Sequence, residues 1–138
     1  MLAIERASFG REAWSPEAFV QYLERWPELF LVARIGRRIA GYSLASIDAY
    51  GAELDSIAVD PKYRGRGIAV GLLNATVNRL RGEGIGTLRL AVSTSNDRAI
   101  EVYREYGFVR TRRLKDYYAR GRDAWRMRVA ITARSARP

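Results

Sequence analysis

The sequence predicts an α/β fold: a mixed sheet with helices packed on both of its faces. Three observations carry that expectation. Short apolar runs bounded by turn signals alternate with helical patterns along the chain. A strand, a glycine-rich loop and an amphipathic helix follow one another between Ala52 and Arg81. The chain has 138 residues, 48% of them hydrophobic, which suits a single domain with one core.

The elements follow in order. Residues 1–8 read as a short helix. Trp14-Ser15-Pro16-Glu17 is a helix start, with Ser15 as N-cap and Pro16 at the first helical position. That helix is expected to end near Arg25, before Trp26-Pro27. Leu29–Ile35 and Ile39–Ile47 form a hairpin about Gly36-Arg37-Arg38. Ala52–Val59 is a third strand, with Leu54, Ser56 and Ala58 alternating against Glu53, Asp55, Ile57 and Val59. A loop from Asp60 to Gly67 leads into a helix that runs to about Arg81, where Gly82-Glu83-Gly84 stops it. Thr87–Val92 is a strand and Asn96–Tyr106 a helix ended by Gly107. Phe108–Tyr117 and Asp123–Ile131 are two further strands around Ala119-Arg120-Gly121-Arg122. Residues 1–132 thus read as one domain, and 133–138 as a basic, disordered tail.

Composition excludes several chemistries. The chain has no cysteine and no histidine. Thiolate metal sites, cysteine nucleophiles, the commonest metal ligand and the usual general base are all absent. No metal is expected. Any catalysis must use carboxylates, tyrosines, hydroxyls, backbone groups or a cofactor. The net charge is +9, and 22 of the 24 basic residues are arginine. Arginine suits bidentate phosphate contacts, but base composition or heat adaptation accounts for such a bias equally well. No apolar run has the length of a membrane span and no signal peptide is visible, so a cytoplasmic protein without membrane contact is expected.

The loop carries the most specific signal. Gly65 and Gly67 lie between a strand and a helix, where glycine permits unusual dihedrals and close backbone approach. Successive N–H groups can then converge on a phosphate at the helix N-terminus. It is neither a Walker loop nor a dinucleotide fingerprint. The segment Ile57-Ala58-Val59-Asp60-Pro61 with Arg64-x-x-Gly67-x-Ala69 resembles the acetyl-CoA signature of the GNAT acetyltransferase superfamily. A second segment, Asn96-x-x-Ala99-x-x-x-Tyr103 with Gly107-Phe108, resembles that superfamily's Asn-x-x-Ala-x-x-x-Tyr…Gly-Phe. Ile4–Phe9 with Trp14-Ser15, and Tyr117-Tyr118 with Gly121–Ala124 and Met127, are similar to the ribosomal-protein alanine N-acetyltransferase branch and its archaeal and eukaryotic relatives. Family members open with a strand before the first helix, whereas this sequence is expected to start inside that helix, so that either the strand is lost or the start is truncated.

The resemblance implies a GNAT fold, acetyl-CoA as cosubstrate, and transfer of its acetyl group to the α-amine of a protein N-terminus by direct attack in a ternary complex. It implies that acetyl-CoA lies between splayed strands, with its pyrophosphate on the amides of Arg64, Gly65, Arg66, Gly67, Ile68 and Ala69. Ile57, Ala58 and Val59 would hold the pantetheine arm. Asn96 would be a polar anchor, although an N-cap of the following helix suits it equally. Tyr103 would be the general acid for the leaving thiolate, where a packed aromatic is the plain alternative. Tyr117 and Tyr118 would close over the peptide, and Phe9 and Trp14 would line the pocket for its first side chain or belong to the core.

The base is a departure. Where the alanine-acetylating branch has Leu-Glu-Val, this chain has Leu90-Ala91-Val92. Glu53 ranks first among the remaining carboxylates, ahead of Glu12 and Asp55, each of which could equally be a solvated surface group. An α-amine with a pKa near 7.7–8.0 is about one-tenth neutral at pH 7, whereas a lysine amine near 10.4 is neutral about four times in ten thousand. An α-amine therefore tolerates a distant base better. A lysine or small-molecule acetyltransferase, and a basic ribosome- or nucleic-acid-binding module, remain the alternatives. A ribosome-linked target is an analogy, and no specific nucleic acid is expected, because no RNA-binding motif is present.

Overall fold

The computed structural model describes residues 15–132. The helices expected over 1–8 and the tail over 133–138 lie outside them. The described elements are helix α1 (Pro16–Arg25), strands β1 (Phe30–Ile35), β2 (Arg38–Asp48) and β3 (Gly51–Val59), helix α2 (Ile68–Gly82), strand β4 (Thr87–Ser93), helix α3 (Asp97–Tyr106), and strands β5 (Val109–Ala119) and β6 (Arg122–Ala130). Short 3-10 turns lie at Pro27–Leu29 and Pro61–Tyr63. The strands form a mixed six-stranded sheet in the order β1-β2-β3-β4-β6-β5, flanked by helices. Each predicted strand over these residues is present, with ends displaced by one or two residues. Strand ends fray because the terminal hydrogen bonds are few.

Contacts divide the chain into two compact units. One holds the described residues up to Ser46 together with Asp55–Arg79; the other holds Ile47–Leu54 and the residues from Leu80 on.

In the first unit, β1 and β2 pair antiparallel from Phe30↔Leu44 to Ile35↔Arg38, with a bulge between Ala33 and Arg34. Residues Ala40 to Ala45 of β2 are buried without interruption, so this strand packs on both faces. Its polar groups are satisfied inside: Tyr42 Oη lies 3.1 Å from Ser56 Oγ, and Ser43 Oγ lies 3.2 Å from Thr76 Oγ1 on α2. Leu72, Leu73 and Val77 of α2 are buried alongside Thr76. Along β3, Ala52, Leu54, Ser56 and Ala58 are buried and the residues between them are partly exposed, as the period-two pattern requires.

In the second unit, β3 and β4 pair in parallel, with Ala52↔Leu88, Glu53↔Arg89 and Leu54↔Leu90. β4 and β6 pair antiparallel from Thr87↔Ala130 to Ser93↔Ala124. Leu88, Leu90, Val92, Ala124, Met127 and Phe108 form its core.

Gly41 is closely packed in the first unit. A Cβ there would stand 2.7 Å from the Ala58 carbonyl oxygen and 3.4 Å from Ile68 Cγ2. A main-chain oxygen in a strand cannot swing away as a side chain can. Gly41→Ala is expected to destabilise the fold by about 1–3 kcal/mol through overpacking. A lower midpoint in urea denaturation with an unchanged slope checks this.

Candidate active site

The two units carry different chemistry, and each is taken separately.

In the first unit, β3 feeds a turn whose N-cap is Asp60, the side chain of which accepts from Lys62 N at 3.0 Å. Asp60 N in turn donates to the Ala40 carbonyl at 2.7 Å, which fixes the end of β3 to β2. The loop then passes through Gly65 at φ 80° and Gly67 at φ 76°. No atom stands within 4 Å of where either Cβ would be. Glycine is needed here for backbone conformation, since a side chain would find room but not an allowed φ. α2 begins at Ile68 and has no acidic residue in its first turn. The first amides of a helix have no intrahelical partner, and the helix dipole adds positive potential there. Lys62 and Arg66 place their cationic groups 5.9 and 5.5 Å from the Tyr63 ring centroid. Arg64 and Arg66 are exposed. Of the amides expected to meet the pyrophosphate, that of Arg64 donates instead to the Pro61 carbonyl at 3.4 Å, closing the turn. The helix N-terminus, the flanking cations and the lack of a carboxylate in the first turn of α2 suit an anion. Ile57 and Val59, expected to hold the pantetheine arm, lie on the partly exposed positions of β3, whereas Ala58 is buried. Asp55 accepts a hydrogen bond from Ser46 Oγ at 2.6 Å.

In the second unit, Asn96 caps α3: its Oδ1 accepts from Ala99 N at 3.2 Å. The structure shows this cap, with which a polar anchor is compatible. Tyr103 is buried on α3, packed edge-on against Phe108 with ring centroids 5.6 Å apart. Its hydroxyl has no hydrogen-bond partner among the described residues. A buried hydroxyl is usually paired, so an unpaired one points to a ligand atom. Burial, with a smaller effect of nearby Tyr118, pushes the Tyr103 phenol well above its ordinary value. The group keeps its proton throughout the neutral range, so it is a donor and not a base.

Tyr117 and Tyr118 lie where β5 leaves its register with β6, between Leu114↔Ala124 and Ala119↔Arg122. Asp116 anchors this bulge at φ 53°. Its N donates to Asp123 Oδ1 at 2.8 Å, and its Oδ1 accepts from Gly121 N at 2.7 Å. Asp123 also accepts from Arg113 Nε at 2.7 Å. Those two contacts, the Asp116 amide first, hold the Asp123 carboxyl below its usual range. The bulge turns Tyr118 inward, where its hydroxyl donates to the Ala91 carbonyl at 3.3 Å. Tyr117 stays 49% exposed, edge-on to Tyr118. Burial pushes Tyr118 up to about 12, with Tyr117 and Glu53 adding to the rise and Arg126 opposing it.

Glu53 belongs to the same cluster. Both of its carboxylate oxygens accept from Arg126 Nη1, at 2.9 and 2.7 Å, and Arg89 Nη2 stands 3.7 Å from Oε1. Arg89 also donates to Asp48 Oδ2 at 2.6 Å. The Arg89 hydrogen bond, with that of the Tyr50 amide, lowers the Asp48 carboxyl below its ordinary value. Glu53, Tyr103 and Tyr118 are thus in one electrostatic neighbourhood. Arg126, Arg89 and Asp116 were not singled out from the sequence. Strand register brings the first two to Glu53, and no local pattern encodes register between distant strands. Glu12, Phe9 and Trp14 lie outside the described residues.

Comparison with known proteins agrees with this chemistry. Residues 1–108 match the model of the Acetyltransferase (GNAT) family. The chain is 36% identical over 124 residues to N-alpha-acetyltransferase RimI of Mycobacterium tuberculosis, a match covering 86% of this chain and 77% of the relative. Among solved structures it is similar to Ard1 from Thermoplasma volcanium, with a TM-score of 0.90 and 28% identity over 96% of this chain and 89% of that one. It is also similar to the ribosomal-protein-S18-alanine N-acetyltransferase from Escherichia coli, with a TM-score of 0.80 and 26% identity over 99% and 89% of the two chains. No helix among the described residues is long and apolar enough to cross a membrane.

The two buried phenols have a consequence for stability. An unfolded chain releases tyrosine protons near pH 10, whereas the folded state holds them longer, to about 12 for Tyr118. Their contribution is therefore full below about pH 10 and is lost as pH rises through the folded values. Thermal midpoints should fall between about pH 10 and 12, and fall less for Tyr118→Phe. Equal falls in both proteins would contradict the assignment.

Proposed function

The chain belongs to the acetyltransferase (GNAT) family, and on that premise we propose that it moves the acetyl group of acetyl-CoA to the α-amine of a protein N-terminus by direct attack. The observation that carries the reading is the buried Tyr103 hydroxyl, protonated and without a hydrogen-bond partner among the described residues.

Acetyl-CoA supplies the acetyl group as a thioester. The amides from Gly65 to Ala69 hold its pyrophosphate, and the main chain of Ile57 to Val59 orients the pantetheine arm. Tyr103 faces the sulfur. A thiol has a pKa near 8.5, well below that of this phenol. Complete proton transfer from Tyr103 to a thiolate is therefore uphill. Its main contribution is a hydrogen bond that strengthens as charge builds on the sulfur. Asn96 fixes the start of α3, and so the position of Tyr103 one helix turn beyond Ala99.

Tyr118 orients the incoming peptide, with Tyr117 covering it from the solvent side. Glu53 takes the amine proton through water. Its oxygens also accept from Arg126, and an α-amine that is partly neutral at pH 7 asks little of its base. Asp55 is occupied by Ser46 and stands second. The RimI-type relatives make a ribosomal protein a reasonable target.

Two measurements test this. Tyr103→Phe should lose about a hundredfold or more in kcat with acetyl-CoA affinity little changed. A rate within about threefold of the parent would remove Tyr103 from the reaction. Glu53→Gln should lose about tenfold at pH 7 and much less near pH 9, where the α-amine is neutral without help. An equal loss at both values would mean that Glu53 acts only on structure.

A further inference from the structure

The outer face of the second unit's sheet has an unusual charge pattern. Residues directly opposite one another project to the same face. Glu53 is opposite Arg89, Arg89 is opposite Arg128, and Ala91 and Arg112 are both opposite Arg126. The alternate positions, Leu88, Leu90, Val92 and Met127, are buried. Arg89, Arg112, Arg126 and Arg128 therefore share the opposite face, around Ala91, which is partly exposed among the described residues.

Two of these cross-strand pairs, Arg89↔Arg128 and Arg126↔Arg112, set like charges directly against each other. Such pairs destabilise a sheet. Asp48 and Glu53 neutralise Arg89 and Arg126. Arg112 and Arg128 are exposed and have no carboxylate partner among the described residues. The hairpin from Val109 to Ala130 holds eight basic and two acidic residues, a surplus of six of the chain's nine net positive charges. A surface that retains unpaired like charges next to a site is complementary to an anionic partner.

We propose that this arginine face selects substrate polypeptides with aspartate or glutamate a few residues after the N-terminus. The inference rests on the reading of Glu53 and Tyr118 as the place where the peptide's first residue is held. Ala91, whose carbonyl Tyr118 engages, is in the same row as Arg126 and Arg112. Strands are about 4.8 Å apart, so Arg112 lies two spacings, about 10 Å, from Ala91. An extended peptide rises about 3.3 Å per residue and crosses that span in about three residues. Acidic side chains at about the third and fourth residues thus reach Arg112 and Arg128. Arginine's planar fork suits carboxylates better than a point charge does.

The test uses three peptides of one length with a common N-terminal dipeptide, carrying Asp-Asp, Asn-Asn or Lys-Lys at residues three and four. Acetylation of the α-amine gives kcat/KM, and fluorescence anisotropy of labelled copies gives binding without turnover. The order Asp-Asp, Asn-Asn, Lys-Lys is expected, with about three- to tenfold between the first two, as solvent-exposed ion pairs allow. Raising salt to about 0.5 M should compress it. The double variant Arg112→Glu, Arg128→Glu should invert it; because the ratio is read within one protein, a general loss of activity cancels. Equal values across the panel, or an order unchanged in the double variant, would overturn the proposal. So would a single-stranded RNA oligonucleotide that displaces the Asp-Asp peptide at concentrations below that peptide's own Kd, since the face would then be a phosphate site. If no peptide is acetylated, the acyl-transfer reading fails, and the anisotropy order still decides this one.

Discussion

The second unit is organised around a surplus of guanidinium groups on one sheet face. Register puts Arg89 opposite Arg128 and Arg126 opposite Arg112. Uncompensated, that arrangement opposes strand pairing. Glu53 and Asp48 relieve part of it by taking Arg126 and Arg89. Much of the site follows. Glu53 is held to a main-chain neighbour of Ala91 and not left to solvent. Its charge helps to keep Tyr118 protonated, while Arg126 works in the other direction. The apolar side of the same strands, Leu88, Leu90, Val92 and Met127, supplies the burial that holds the charges at these spacings.

The first unit solves a different problem, which is to end a strand and start a helix through a glycine loop. Tight packing sets the frame: Gly41 lets β2 approach Ala58, and Asp60 N is tied to Ala40. Conformation does the rest, because Gly65 and Gly67 take positive φ values that other residues resist. The first turn of α2 carries no acidic residue to offset the positive end of the helix. Glycine therefore serves two purposes here, close approach at position 41 and backbone freedom at 65 and 67.

In the proposed reaction, tyrosine stands in for the histidine and cysteine the chain lacks, at the cost of range. A buried phenol holds its proton too firmly to act as a base near neutrality. It acts well as a donor to an atom that is gaining negative charge. The reaction that suits such a group is one whose nucleophile is already partly neutral and whose leaving atom is an anion in the making. Transfer from a thioester to an α-amine has both properties.

The sequence by itself determined the order of elements, the period-two burial of β3, the glycine loop before α2 and the motif that places Tyr103 on α3. Each of these is encoded within a few consecutive residues, by periodicity, capping or backbone preference. It also marked Glu53 and Tyr118, but not their partners. Only the tertiary structure decided that Asp116 and Asp123 shape the bulge that turns Tyr118 to Ala91, and that Arg126 takes both oxygens of Glu53. These contacts join residues up to 73 positions apart. Their geometry depends on strand register, which is set by the packing of whole strands and so is not written in any one segment.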